Sequence, residues 1–326
     1  MSTGALGGGF LVIKAKGGFG NRMLSATTGI ALARIAGRTP VVDWRDGEYL
    51  PRGANPYPLL FADPVGIDAS SFDTRTDVAP AVWSGRLASH PTDVISEFYP
   101  NGHTSPIVYR RLSIDLRRPE ATTEPVAVFW SYLPKMMRLG RRLKRVPQYR
   151  GMTLNEVTRV VLEEHFTPNE RVRSQVEAVF AELTRPTIGV HIRYTDRKVS
   201  LTRIAREVRR LRAQMPAAAI FLATDNSNVR NEFCRQFSNV HSIDKAFGDD
   251  DNSLHEGVVL DDPLTEAENA LVDMWALARC DWLVHSRHST FSVAAALIGG
   301  IPASRQRDVD RWNARVVAKR WIQNWA

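Results

Sequence analysis

Along the chain, compact apolar runs alternate with longer stretches of helical periodicity. Residues 10–15 (FLVIKA) form an apolar run that ends at Gly17 and Gly18, a helical pattern follows over 21–35 and stops at Gly37, and residues 40–44 (PVVDW) read as a second strand. Strand, glycine loop, helix and strand within about 35 residues make a βαβ unit, the building block of parallel sheets. The stretch 45–125 is rich in Pro, Gly, Asp and Ser and supports only short strands near 81–83 and 107–109. Residues 126–130 (VAVFW) read as a buried strand, and helical stretches follow at 154–164 and 169–183.

From Thr187 the alternation sharpens. Strand-like runs TIGVHIR (187–193), AIFLATD (219–225), NVHSID (239–244) and DWLVHS (281–286) are separated by helical patterns at 201–213, 226–237 and 264–279. Strands joined by crossover helices predict a second doubly wound unit. A final helix is expected over 308–324, carrying Trp312 and Trp321 with Trp325 just after it, and packing back across both domains. No repeat or low-complexity segment interrupts this order. The expected division is an N-terminal domain over 1–165 and a C-terminal one over 166–326.

Composition changes this picture little. The 326 residues are 44% hydrophobic and 24% charged, ordinary for a globular chain and against disorder or a disulfide scaffold. The two cysteines, Cys234 and Cys280, imply neither a zinc site nor a disulfide framework. No apolar run approaches the roughly 20 residues of a membrane span, and residues 1–9 lack the basic start of a secretory signal. A cytoplasmic setting is expected.

Net charge does add something. At +8, an anionic partner is plausible, whether nucleic acid, an acidic membrane surface or a phosphorylated small molecule. The arginines gather at 138–150 and 203–212. These runs read first as solvated helix faces, and basic patches leave peripheral membrane association open.

Ligands of open α/β sheets sit beyond the carboxyl ends of the strands, so the candidate chemistry is read there. Lys16 to Arg22 (KGGFGNR) is a glycine loop opening a helix; its free N–H groups suit a phosphate, and the alternative is a tight turn capped by Asn21. His191 and Arg193 leave the strand TIGVHIR on one face, with Gly189 beneath. An arginine there either pairs with a carboxylate, such as Asp196, or faces an anionic ligand. Thr224 and Asp225 close the next strand. His285 to Thr290 (HSRHST) lead into an apolar helix, which makes Ser289 and Thr290 N-cap candidates whose hydroxyls can hold a phosphate oxygen. The histidines and Arg287 of that turn add positive charge. Asp249 to Asp251 read as an exposed loop, with metal binding the alternative.

Together these segments resemble the GDP-fucose-dependent fucosyltransferases with an H-x-R-x-x-D motif, of the bacterial nodulation type and the core α1,6 type. The likeness rests on TIGVHIRYTDRK, IFLATDN and LVDMWALARCDWLVHSRHST, with GGFGNRM and RTPVVDW at the front. It implies an α/β, GT-B-like fold, two Rossmann-like domains facing across a cleft with the donor held mainly by the second. It also implies inverting transfer of L-fucose from GDP-β-L-fucose to a glycan hydroxyl, with the 6-hydroxyl of N-acetylglucosamine in a chitooligosaccharide or surface polysaccharide as candidate acceptor. By that resemblance Arg193 and Ser289, with Thr290 beside it, hold the diphosphate, His191 and Asp273 the guanine, and Gly18, Gly20 and Asn21 approach from the N-terminal domain. No cofactor, metal or nucleic acid is expected. The chain departs from the core α1,6 pattern at Tyr194, where a second arginine stands, and at Val199–Leu201, where a carboxylate base lies. Asp196, Asp225 and Asp43 are the base candidates. Trp44, Tyr49, Trp83, Tyr109 and Trp130 read first as core residues, with stacking on acceptor sugars as their other reading.

Overall fold

A computed structural model describes residues 8–62, 64, 66–100, 106–194, 198–245, 262–314 and 317–318. The chain divides into two compact units, residues 1–167 with 321–326, and residues 168–320.

Unit 1 contains strands β1 (Phe10–Lys14), β2 (Thr39–Asp43), β3 (Val78–Ala79) and β4 (Val126–Trp130). They form one parallel sheet in the order β2-β1-β4-β3. Its helices are α1 (Phe19–Ala36), α2 (Tyr57–Leu60), α3 (Pro91–Phe98), α4 (Pro106–Arg111), α5 (Met136–Leu143) and α6 (Leu154–His165). Helix α1 is buried along most of its length and has almost no polar face, as expected for a helix enclosed on several sides. Gly29 permits the contact: a β-carbon there would lie 2.8 Å from the Phe129 ring and 2.9 Å from Ile13. Gly37 ends the helix in the left-handed region at φ 65°, the role predicted for it.

Unit 2 contains β5 (Thr187–Ile192), β6 (Ala219–Thr224), β7 (Val240–His241), β8 (Trp282–His285) and β9 (Gln306–Asp308). This sheet is also parallel, in the order β7-β6-β5-β8-β9. Helices α7 (Glu170–Glu182), α8 (Leu201–Gln214), α9 (Ser227–Gln236), α10 (Pro263–Arg279) and α11 (Thr290–Ile298) belong to it. Both β5 and β6 are buried at every position, which explains their unbroken apolar runs. The chain winds outward from β5 through β6 to β7 and then returns to β8 on the other side. The switch point therefore lies between β5 and β8.

Several expectations change. The strand expected near 81–83 is a 3-10 turn, closed by Trp83 N–H on the Pro80 carbonyl at 3.0 Å. The segment near 107–109 lies in α4, which begins at a proline suited to a first helical turn. Only Val240 and His241 of the run 239–244 pair as strand, because β7 is an edge with β6 as its one neighbour. The final helix does not begin at 308: residues 306–308 form β9, registered against β8 with Asp308 opposite His285. The polar Gln-Arg-Asp of that edge strand carries no apolar alternation by which to recognise it. Residues 309–312 are turn rather than helix, helical residues appear at 314 and 317–318, and 315–316 and 319–324 lie outside the described residues.

Four of the five aromatic candidates lie in the core, the first of the two readings given for them, and not at a sugar-stacking face. Trp44, Tyr49, Trp83 and Trp130 are buried; Trp44 stacks on Phe166 at 6.0 Å, and Trp83 donates its indole N–H to the Leu112 carbonyl at 2.9 Å. None of these four presents a face for a sugar. Tyr109 is partly buried and meets Trp130 edge-on at 4.8 Å.

Candidate functional site

In unit 2 the candidates gather at the carboxyl ends of β5, β6 and β8. His191 is the fifth residue of β5, and its ring stacks on Phe291 of α11 with centroids 5.1 Å apart and planes 18° from parallel. Burial, reinforced by Arg193, His285 and Lys245, drives its pKa down to about 3. His191 is therefore a neutral ring, a surface for stacking and a weak hydrogen-bonding group, and it adds no positive charge. Gly189, two residues earlier, is a close-packing point for α10: a β-carbon there would meet Cys280 and Leu277 at 3.2 Å.

Arg193 follows β5 directly and is partly buried. Its carbonyl accepts the Val199 N–H at 3.3 Å, which closes the loop after the strand. Tyr194 donates its backbone N–H to the Asp225 carboxylate at 2.8 Å. Asp225 thus ties the end of β6 to the end of β5, and one of its oxygens is engaged in that task. Asn226, next to it, caps α9 by accepting the Val229 N–H at 2.9 Å. Asp196 and the Asp249–Asp251 loop lie outside the described residues.

Asp273 reaches the same region from α10 and is 3% exposed. Burial pushes its carboxyl pKa upward, Lys245 opposes that push, and Asp225 adds to it. Lys245 forms an ion pair with Oδ2 of Asp273, and both side chains are largely shielded from solvent. Oδ1 of Asp273 is buried and has no hydrogen-bond partner among the described residues. A carboxylate oxygen left in this way is costly unless a ligand supplies the donor.

The turn from β8 into α11 is built by its own hydroxyls. Ser286 donates to Asp310 at 2.5 Å and accepts the His288 N–H at 3.1 Å, while Ser289 N–H bonds the Ser286 carbonyl at 3.0 Å. His285 is fully buried with Nδ1 3.0 Å from the Ser292 hydroxyl, so it packs under the turn rather than extending charge from it. Ser289 occupies the N-cap position of α11 but makes no capping bond, and its Oγ is buried without a partner among the described residues. Thr290 is the first helical residue. The N-terminus of a nine-residue helix, its positive dipole end, thus carries a hydroxyl with an unfilled hydrogen-bonding capacity.

Unit 1 presents its own strand ends. Gly17 adopts φ 76°, and a β-carbon there would come within 3.0 Å of the Tyr132 ring. Gly18 is the N-cap of α1, and Gly20 and Asn21 lie in the first turn, so the alternative reading of a turn capped by Asn21 does not hold. That turn has neither a side-chain cap bond nor an acidic residue. Arg22, which drew no attention in the sequence, is wholly buried. Its Nε donates to the Gly17 carbonyl at 2.5 Å and its Nη2 to Asp46 at 2.6 Å, with the Tyr49 ring 5.0 Å from the guanidinium. It fixes the glycine loop against the segment after β2. Asp43 is withdrawn as a base candidate. Burial alone would raise its pKa, but Lys14 and Arg45 outweigh burial and hold it below the usual carboxylate range. At 2% exposed, with Lys14 at 2.8 Å and Arg45 at 2.9 Å, it cannot reach a substrate proton.

Sequence inspection missed Lys245 and Phe291 as well as Arg22. A single lysine after an edge strand and a phenylalanine in an apolar helix carry no local signal; only the packing of α10 and α11 onto the sheet brings them to His191 and Asp273. The arginine run at 203–212 lies on α8, whose Ile204, Ala205, Val208 and Leu211 are buried while Arg203, Arg206, Arg209 and Arg210 are exposed. Arg210 pairs with Glu207 at 2.8 Å and Arg209 bonds Gln236 at 3.1 Å, as on a solvated helix face. Among the described residues no helix is long and apolar enough to cross a membrane, and no group of three or more His, Cys, Asp or Glu could hold a metal ion.

Comparison with known proteins fits this geometry. The Nodulation protein Z of Azorhizobium caulinodans is 32% identical over 142 residues, 37% of this chain and 42% of that protein, so this match spans less than half of the relative. The Nodulation protein Z of Bradyrhizobium diazoefficiens is 24% identical over 318 residues, covering 87% of this chain and 77% of that protein. Among solved structures, NodZ α-1,6-fucosyltransferase soaked with GDP-fucose superimposes with a TM-score of 0.62 at 20% identity, over 89% of this chain and 92% of the other. POFUT1 in complex with GDP gives 0.51 at 14% identity, over 92% and 97%. These likenesses show the fold, the α/β type with parallel sheets found in GT-B enzymes. The family model for Nodulation protein Z (NodZ) matches residues 153–318, more than half of the sequence, and the chain belongs to that family.

Proposed function

We propose that this protein is an inverting fucosyltransferase that takes L-fucose from GDP-β-L-fucose and transfers it to a glycan hydroxyl. The observation that carries this reading is the set of groups gathered at the carboxyl ends of the unit 2 strands. A buried carboxylate oxygen on Asp273, a neutral His191 ring on Phe291 and a Ser289 hydroxyl at a helix N-terminus, without a partner among the described residues, are the features a nucleoside diphosphate needs. Asp273 suits guanine, whose N1–H and N2–H both donate, whereas adenine presents an acceptor at N1. Arg193 and the first turn of α11 suit the diphosphate, and their positive charge would stabilise it as it departs. These groups can take the place of a metal ion in leaving-group stabilisation. The family resemblance and the names of the relatives support the same donor.

The remaining requirement is a base for the acceptor proton. We assign this to Asp196 or Asp225, of which Asp225 already gives one oxygen to the Tyr194 N–H. We infer that the acceptor is a chitooligosaccharide or related glycan attacking through a 6-hydroxyl. Incubation with labelled GDP-fucose and chitooligosaccharides, with and without excess EDTA, tests the reading. Labelled product whose linkage is α-1,6, formed equally with EDTA, is expected. Hydrolysis of GDP-fucose with no labelled glycan removes the acceptor assignment, and the absence of both hydrolysis and transfer removes the function. Activity lost in EDTA and restored by Mg²⁺ or Mn²⁺ overturns metal independence.

A further inference from the structure

Lys245 follows the edge strand β7, and its ammonium sits on Oδ2 of Asp273, 28 residues further along on α10. The pair is enclosed: the two side chains are 10% and 4% exposed. A buried ion pair is expensive to assemble and is often no more stable than apolar residues of the same volume, so stability alone is a poor reason for it to exist. Among the described residues only one of the two carboxylate oxygens is used. Oδ1 lies buried and unbonded among the described residues, and Lys245 is near enough to the His191 ring to help depress its pKa.

A carboxylate at the end of a flexible side chain can rotate and present either oxygen. A cation fixed on one oxygen removes that freedom and leaves the other facing a set direction. It also keeps the group an acceptor, since a protonated carboxyl would present a donor to the ligand edge.

We propose that Lys245 is a positioning residue of the donor site: it holds Asp273 through Oδ2 so that Oδ1 accepts N–H groups from the edge of a purine base. This rests on the reading of unit 2 as a guanine nucleotide site. Bases with N1–H, guanine and hypoxanthine, are then selected over adenine, whose N1 lone pair faces the carboxylate. Lys245 makes no contact with the fucosyl carbon; it acts through Asp273.

The test is calorimetric titration of the full chain with GDP, IDP and ADP, alongside steady-state kinetics with GDP-fucose. The variants are Lys245→Met, Lys245→Gln, Lys245→Arg and Asp273→Asn, each checked for an unchanged thermal transition. Loss of Lys245 should weaken GDP by at least about 10-fold, narrow the preference for GDP over ADP by a similar factor, and act on KM more than on kcat. Lys245→Arg should restore most of both. The use of two neutral replacements keeps the result readable if one of them folds poorly. Wild-type GDP affinity and an unchanged GDP to ADP ratio in Lys245→Met and Lys245→Gln overturn the proposal. If Asp273→Asn also binds GDP normally, the carboxylate is not at the base and the proposal falls while the donor site stands. Should the wild type bind neither GDP nor GDP-fucose, the donor reading fails and takes this inference with it.

Discussion

Replacing Ser289 with alanine separates a ligand-binding hydroxyl from an ordinary helix cap. A serine that caps a helix typically contributes about 1 kcal/mol through its side-chain bond to the first turn, which for a domain of this size corresponds to a fall of about 2–4 °C in Tm when the bond is lost. Ser289 stands at the N-cap of α11 without such a bond, and its Oγ is buried with no partner among the described residues. Deleting it removes no stabilising contact and relieves an unsatisfied polar atom, a defect that costs about 1–3 kcal/mol when buried. The free protein should therefore keep its Tm or gain slightly. Binding should move the other way: a hydrogen bond to a charged phosphate contributes about 1.5–3 kcal/mol, so GDP should bind roughly 10- to 150-fold more weakly. Thermal melts without ligand, paired with calorimetric titration of GDP, give both numbers on one preparation. A Tm lower by the amount of a lost cap, with GDP affinity unchanged, refutes the argument and makes Ser289 a structural residue.

The other predictions concern charge. Arg193→Lys exchanges a planar fork for a point charge at the diphosphate position and should cut turnover by roughly 100-fold with an intact circular dichroism spectrum; near-normal turnover removes Arg193 from the site. Asp43→Ala leaves Lys14 and much of Arg45 without their buried counter-charge and should cost about 3–5 kcal/mol in urea unfolding, a loss under 1 kcal/mol being incompatible with the pair in unit 1. His191 has a depressed folded pKa of about 3. Its contribution is therefore complete above the unfolded value near pH 6.5 and is lost as pH falls from there towards 3. His191→Gln should flatten the fall in stability between pH 6.5 and 4.5, and an unchanged slope shows that the ring is not buried.

What the sequence determined by itself was local and strongly patterned. The apolar runs of β1, β2, β4, β5, β6 and β8 and the glycines around α1 were legible because a strand buried on both faces admits little but apolar residues and a helix end favours Gly37 at positive φ. His191, Arg193 and Ser289 could be named from their places at strand ends, and Asp273 from the resemblance alone. The region between β2 and β4 was not legible, since its elements are only two to eight residues long, too short for any period to show, and α3 and α4 begin at prolines. Tertiary structure alone decided which polar groups were spent and which were left open. Asp43 and Asp273 are both aspartates buried beside a lysine, yet Lys14 and Arg45 occupy both oxygens of the first, and Lys245 occupies one oxygen of the second. That difference depends on which segments the sheets bring together, over 29 residues for Lys14 and Asp43 and 28 for Lys245 and Asp273. Hydrogen-bond satisfaction is a property of packed neighbours, and no pattern along the chain encodes it.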